Sequence, residues 1–214
     1  MSEAPSTVPL ETGVHELPPR ARELMGRGRQ IIGIVGAPGS GKSTLAQTMA
    51  GTLGDRVVVV PLDGFHLTDQ ELARLGRADR KGAPDTFDVQ GFLCSLRRLR
   101  HDIHQTVYLP EFDRTAELSV AGAIAVRPRH QLVITEGNYL LLHAPGWSDI
   151  RPLLDEVWYV EAAQDMRMSR LIQRHIEHGK RPATAERWAT TTDQANADLI
   201  ALSRSEADVL VRSD

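Results

Sequence analysis

The stretch "QIIGIVGAPGSGKST", residues 30–44, places two opposed demands side by side. Residues 31–35, IIGIV, are an apolar run that suits a strand covered on both faces. The eight residues after it, GAPGSGKS, hold three glycines and a proline, so backbone freedom begins where the strand ends. They satisfy G-x-x-x-x-G-K-[ST], and the helical run STLAQTMAGTL follows at once, which is the strand–loop–helix setting this phosphate-binding motif needs. Glycine at positions 36, 39 and 41 lets successive N–H groups turn inward on an anion, and the helix start adds the positive end of its dipole. Four fixed positions coincide by chance in roughly one chain in a hundred of this length, so the flanking elements make a plain glycine turn the minor alternative. The predicted nucleotide-binding set is Gly36, Ala37, Pro38, Gly39, Ser40, Gly41, Lys42, Ser43 and Thr44. Lys42 reaches the β- and γ-phosphates, and Ser43 sets its hydroxyl on a bridging Mg²⁺.

Outward from this stretch, short apolar runs alternate with amphipathic ones. Residues 57–60, 132–135, 157–160 and 208–211 read as further strands. After Asp88, a predicted N-cap, apolar residues at 89, 92, 93, 96 and 99 mark a helix. Leu171, Ile172 and Ile176 mark a second that stops at Gly179, and Trp188, Thr192, Ala195 and Leu199 a third. Strands alternating with helices predict an α/β fold with a mainly parallel sheet. Residues 1–29 read as a lead-in, partly flexible, with at most a short helix near 20–30, and residues 30–214 as a single domain.

The 214 residues, 41% apolar and 25% charged, are an ordinary globular composition. A net charge of −3 lacks the basic surplus of a nucleic-acid binder. The lone Cys94 cannot build a disulfide framework or a multi-thiolate metal site, and its place among apolar helix positions predicts burial. No run approaches a membrane span, so a cytoplasmic protein with neither membrane nor nucleic-acid partners is expected.

Two acidic residues follow predicted strands: Asp63 after VVVVPL and Glu136 after LVIT. Each should emerge at a strand's carboxyl end, where open α/β sheets bind ligands. One carboxylate can hold the water shell of magnesium and the other can accept a hydroxyl proton, while capping a turn is the ordinary alternative. His175, His178, His101 and His104 read as solvated helix positions, and Trp147, Trp158 and Trp188 as packing.

PLDGFHL (61–67), RKGAPDTFD (80–88), LPEFDR (109–114) and ITEGNYLLL (134–142), in this order after the phosphate loop, resemble the uridine kinase, phosphoribulokinase and type I pantothenate kinase group. DMRMSRLIQRH (165–175) is similar to the lid helix of uridine kinases, and residues 193–211 resemble the end of pantothenate kinases. The chain is also similar to small bacterial proteins described as nucleoside or fructose transport-system kinases. The resemblance implies a P-loop NTPase three-layer sandwich, helices on both faces of the sheet, with a helical lid near 165–182. It implies ATP and Mg²⁺, with Asp63 as the base facing the acceptor hydroxyl and Glu136 near the metal beside Ser43. Arg170 and Arg174 match lid arginines that, with Lys42, face phosphoryl charge; a solvated basic face is the alternative. His66, Lys81, Asp85, Phe87, Glu111, Asp113 and Arg114 become candidates for the acceptor pocket.

Departures bear on the substrate. Uridine kinases carry an aromatic-rich stretch where this chain has GFHL, and pantothenate kinases share DGF but are longer before the phosphate loop. The expected activity is transfer of the γ-phosphoryl of ATP to a hydroxyl of a small metabolite, a nucleoside or sugar first. Pantothenate, or a nucleotide-binding regulatory protein without acceptor chemistry, are the alternatives. Related kinases assemble as dimers or tetramers, so a homo-oligomer is compatible.

Overall fold

The computed structural model describes residues 9–212. In chain order the strands and longer helices are β1 Leu10–Gly13, α1 Leu17–Met25, β2 Gln30–Val35, α2 Lys42–Leu53, β3 Val57–Pro61, α3 Asp69–Arg74, α4 Val89–His101, β4 Val107–Asp113, β5 Leu118–Val126, β6 Leu132–Glu136, β7 Glu156–Glu161, α5 Gln164–Glu177, α6 Pro182–Trp188, α7 Gln194–Ala201 and β8 Val209–Arg212. Six strands form one sheet in the order β1-β8-β7-β2-β6-β3, and every neighbouring pair is parallel. The expected strands are all present, to within a residue or two of the apolar runs that define them.

Side chains that alternate along β2 feed two separate cores, which is why the apolar run is continuous. Ile32 and Ile34 join Leu17, Ala21 and Met25 of α1 and Leu45 and Met49 of α2 on one face. Ile31 and Val35 join Phe92, Leu93, Leu96 and Leu99 of α4 on the other. Full burial of such a side chain contributes roughly 1.5–3 kcal/mol, so both layers are strongly fixed to the sheet. Asp88 caps α4 as its position predicts, accepting the Gly91 N–H at 2.8 Å.

Three expectations are corrected. Residues 10–18 are no loose lead-in: β1 pairs with β8 in the register Leu10↔Val209, and α1, which covers the first part of the short helix expected near 20–30, starts at Leu17 and buries Leu17 and Ala21 completely. The rest of that expectation, residues 1–8, lies outside the described residues. Cys94 is exposed, because it lies two residues from both Phe92 and Leu96 and so points away from the face they bury. The third predicted helix is two, α6 and α7, joined by a π turn over Ala189–Asp193. The wide turn advances the register, so Asn196, Ala197 and Ile200 face inward where Ala195 and Leu199 were expected.

An antiparallel hairpin, β4 with β5, stands apart from the main sheet. Among the described residues, no helix is long and apolar enough to cross a membrane.

Candidate active site

The carboxyl ends of β2, β3 and β6 meet at one rim of the sheet, with Ile34 and Pro61 both paired to Glu136. The phosphate loop leaves β2 there. Gly39 holds φ +78°, and a Cβ on it would stand 2.7 Å from the Arg167 carbonyl oxygen, so the loop packs under the lid helix only because that residue is glycine. Ser40 carries the one buried side-chain polar atom without a hydrogen-bond partner among the described residues. Lys42 is 7% exposed and, among the described residues, donates from Nζ only to the Ala37 carbonyl, 3.1 Å away. Burial lowers its ammonium from 10.5 to about 8, against the pull of Glu136 and Asp63. An orphaned hydroxyl and an under-solvated ammonium in one glycine-rich loop are what a bound polyphosphate would satisfy.

Asp63 follows β3 in a 3-10 turn, Leu62–Phe65. Gly64 in that turn runs against the hairpin so closely that a Cβ would meet the Pro110 oxygen at 2.4 Å. Arg114, at the end of that hairpin strand, reaches back to Asp63 Oδ2 at 3.0 Å. His66 donates from Nδ1 to the Asp63 carbonyl at 2.9 Å and lies over the Phe87 ring, centroids 4.0 Å apart. Burial lowers its imidazole pKa.

Glu136 is buried and accepts the Ser43 hydroxyl at 2.9 Å. Burial first, then the nearby Asp63 carboxylate, raises its carboxyl above the ordinary range. A hydroxyl and a buried carboxylate whose ionisation is disfavoured by a second carboxylate nearby are a donor set suited to a hard divalent cation and its water shell, so Mg²⁺ fits these residues.

These groups open onto one cavity of about 480 Å³, bordered by Lys42, Ser43, Asp63, Glu136, Lys81 and Arg174 among others. His66, Phe87 and Arg114 also line it. Lys81 is held at its rim by Asp69 at 2.7 Å and Glu117 at 3.0 Å. The remaining predicted site residues are distributed differently. Glu111 borders a small adjoining hollow with Asp63, Arg114 and Glu136. Asp85 pairs with Arg77 and Arg80, and Asp113 accepts the Thr115 and Ala116 N–H groups at the hairpin turn; neither borders these cavities. The lid arginines separate: Arg174 faces the main cavity, whereas Arg170 lines a second cavity of about 270 Å³ with Gly41, Thr44, Thr48, Val14 and Val160. Arg167 beside them is a buried strut, donating to the Pro38 carbonyl at 3.2 Å and to Gln194 at 2.7 Å.

Sequence reasoning missed Asn138, Asn196 and Asp193 on the cavity wall. It also read His175, His178 and Trp188 as solvated or packing residues, and all three border the cavity. Only a helix register that allowed for the π turn could have signalled Asp193 and Asn196.

A parallel sheet, a glycine-rich phosphate loop with its lysine and serine, the arginine-bearing helix α5 packed on that loop and two carboxylates at the strand ends define a P-loop kinase. The profile of the Phosphoribulokinase / Uridine kinase family matches residues 31–213, and the chain belongs to that family. It is 36% identical over 189 residues to a Schizosaccharomyces pombe protein described as a candidate uridine kinase, covering 84% of this chain and 80% of that one. A uridine kinase of Lactobacillus helveticus is 27% identical, with 85% of each chain covered. A crystal structure from Silicibacter sp. TM1040, described as a candidate fructose transport system kinase, superposes with a TM-score of 0.84 at 38% identity, covering 95% of this chain and all of that one. The enzyme is thus an ATP-dependent phosphotransferase acting on a hydroxyl group.

Proposed function

We propose that the acceptor is a nucleoside or a sugar, bound in the main cavity with its reacting hydroxyl against Asp63 and phosphorylated from Mg·ATP. The observation that carries this reading is the convergence of Asp63, Lys42, Ser43 and Glu136 on one cavity with room for both a polyphosphate and a small ring compound. Residues 36–44 hold the triphosphate, and the second cavity, between Thr44, Thr48 and Arg170, suits the nucleotide base. Ser43 and Glu136 would hold the Mg²⁺, which when bound would neutralise phosphate charge.

Asp63 accepts the hydroxyl proton as the oxygen attacks the γ-phosphorus, and Arg114 keeps that carboxylate turned toward the cavity. The oxygen–phosphorus bond forms as the bond to the ADP oxygen breaks. Lys42 and Arg174 stabilise charge on the transferring group, in a loose transition state where positioning and electrostatics dominate. His66, packed on Phe87, closes the pocket beside Asp63 and excludes water from the attack position.

The test is ADP release from Mg·ATP with uridine, cytidine, fructose, ribulose 5-phosphate or pantothenate, each against a control without acceptor. Strong stimulation by uridine, cytidine or fructose is expected. Stimulation confined to the other two compounds contradicts the acceptor class. ATP binding with no stimulation by any compound favours a nucleotide-binding protein without acceptor chemistry.

A further inference from the structure

The family profile begins at residue 31, and the segment before it reaches the edge of the phosphate loop. β1 is fixed on β8, from the Leu10 N–H, which donates to the Asp208 carbonyl at 3.0 Å, to Gly13 beside Arg212. α1 is fixed on α2, since Leu17, Ala21 and Met25 share a core with Leu45 and Met49. Between these two anchors the chain makes one 3-10 turn, Val14–Glu16, closed by the Thr12 hydroxyl donating to the Glu16 carboxylate. Val14 on that turn is 39% exposed. A single exposed valine needs no explanation in itself, but this one borders the second cavity.

That cavity starts where the phosphate loop ends. Gly41 and Thr44, on either side of Lys42 and Ser43, border it, and Thr48 follows one helical turn on. Val14, Leu45 and Val160 give it apolar surface, and among the described residues Arg170 is the only charged group on its border. Arg170 makes no hydrogen bond or ion pair among the described residues, and its Nη1 would stand 3.7 Å from a Cβ placed on Gly41, so the guanidinium lies alongside the loop. A planar cation without an anionic partner, next to apolar side chains, is suited to stacking on an aromatic ring. At about 270 Å³ the space is slightly smaller than pockets that enclose a whole ligand, so it takes one part of a larger molecule.

We propose that the turn Val14–Glu16 is a wall of the nucleotide site, with Val14 packing on the base and Arg170 supplying the stacking cation. The proposal rests on the reading of the second cavity as the base site and deepens it: part of the affinity for the base comes from a segment that precedes the region matched by the family profile. Both anchors of this segment are protein contacts, so the wall is in place before the nucleotide arrives. Its contribution goes to the base and not to the phosphates.

The experiment uses the full chain and follows the Val14 methyl groups by ¹H–¹³C NMR, assigned by their loss in Val14→Ser. Mg·ADP and Mg·tripolyphosphate, which offers phosphates without a base, are titrated in turn, and calorimetry gives each Kd. Mg·ADP is expected to shift the methyls and Mg·tripolyphosphate to leave them in place. Val14→Ser is expected to raise the Kd for Mg·ADP at least about fivefold and to leave that for Mg·tripolyphosphate within about twofold, while Val14→Ile stays within about twofold of wild type for both. Methyls that respond equally to the two ligands, or a Kd for Mg·ADP unchanged in Val14→Ser, overturn the wall and leave the phosphate loop as the nucleotide site. Failure of Mg·ADP to bind wild type overturns the wall and the nucleotide reading together. A base-dependent shift in a protein that no acceptor stimulates supports the wall and counts only against the acceptor reading.

Discussion

Replacing Lys42 by methionine should make the empty protein respond to pH in a way set by one buried charge. Lys42 is 7% exposed and its ammonium is lowered from 10.5 to about 8 by burial. The folded chain therefore releases this proton earlier than the unfolded chain, which holds it up to the ordinary value. Between those two values the unfolded state binds more protons, so the wild type gains stability from this group as pH rises. At pH 7 the burial penalty is that whole lowering, about 3 kcal/mol. At pH 9.5 the same linkage leaves about 1 kcal/mol. Lys42→Met removes that dependence, together with the hydrogen bond to Ala37 and the support Lys42 gives to Glu136, which shift the difference by an amount nearly constant over this range. Urea unfolding of both proteins at pH 7 and 9.5 should show the stability of the variant, relative to wild type, falling by about 2 kcal/mol between the two. The variant should also lose the stabilisation that Mg·ATP confers on wild type. A relative stability that stays flat with pH would refute the buried-charge reasoning.

Gly39→Ala forces a side chain onto φ +78° and against the Arg167 carbonyl, so a loss of about 1–3 kcal/mol and of ATP binding is expected; a thermal melt with and without Mg·ATP measures both. Arg167→Met leaves the Pro38 carbonyl and Gln194 without their donor and should lower stability by about 1–3 kcal/mol while weakening ATP binding, read by urea unfolding and nucleotide titration. Burial and Asp63 raise the Glu136 carboxyl, so its protonation begins above the usual carboxylate range and the Mg²⁺ requirement should grow as pH falls. In Glu136→Gln the KM for Mg²⁺ should rise about tenfold or more and lose that pH dependence, measured by ADP release across Mg²⁺ concentrations.

The parts of this molecule that could be read from its sequence are those where local pattern and tertiary environment agree. β2, β3, β6 and β7 are continuous apolar runs because both faces are covered, and the same fact places Asp63 and Glu136 at one rim. β1 could not be read that way. LETG has no strand pattern of its own and is extended because β8 offers it an unpaired edge. The β4–β5 hairpin escaped for a related reason: its partly exposed strands carry a proline and charged residues, and only their pairing organises them. Within the site, the phosphate loop is fixed by glycine conformations that the sequence states directly. The cavity wall at 175–196 depends on a π turn, which moves the inward positions off a regular helical period.

Asp63 carries the central claim, because it distinguishes an acceptor kinase from a protein that only holds nucleotide. The direct measurement is transfer of labelled γ-phosphate from Mg·ATP to the responding acceptor by wild type and Asp63→Asn, with ATP affinity titrated in parallel. The expected result is a kcat lower by about 10²–10⁴-fold with ATP affinity within about twofold. A variant that transfers phosphate at a rate near wild type would contradict the assignment of Asp63 as the base.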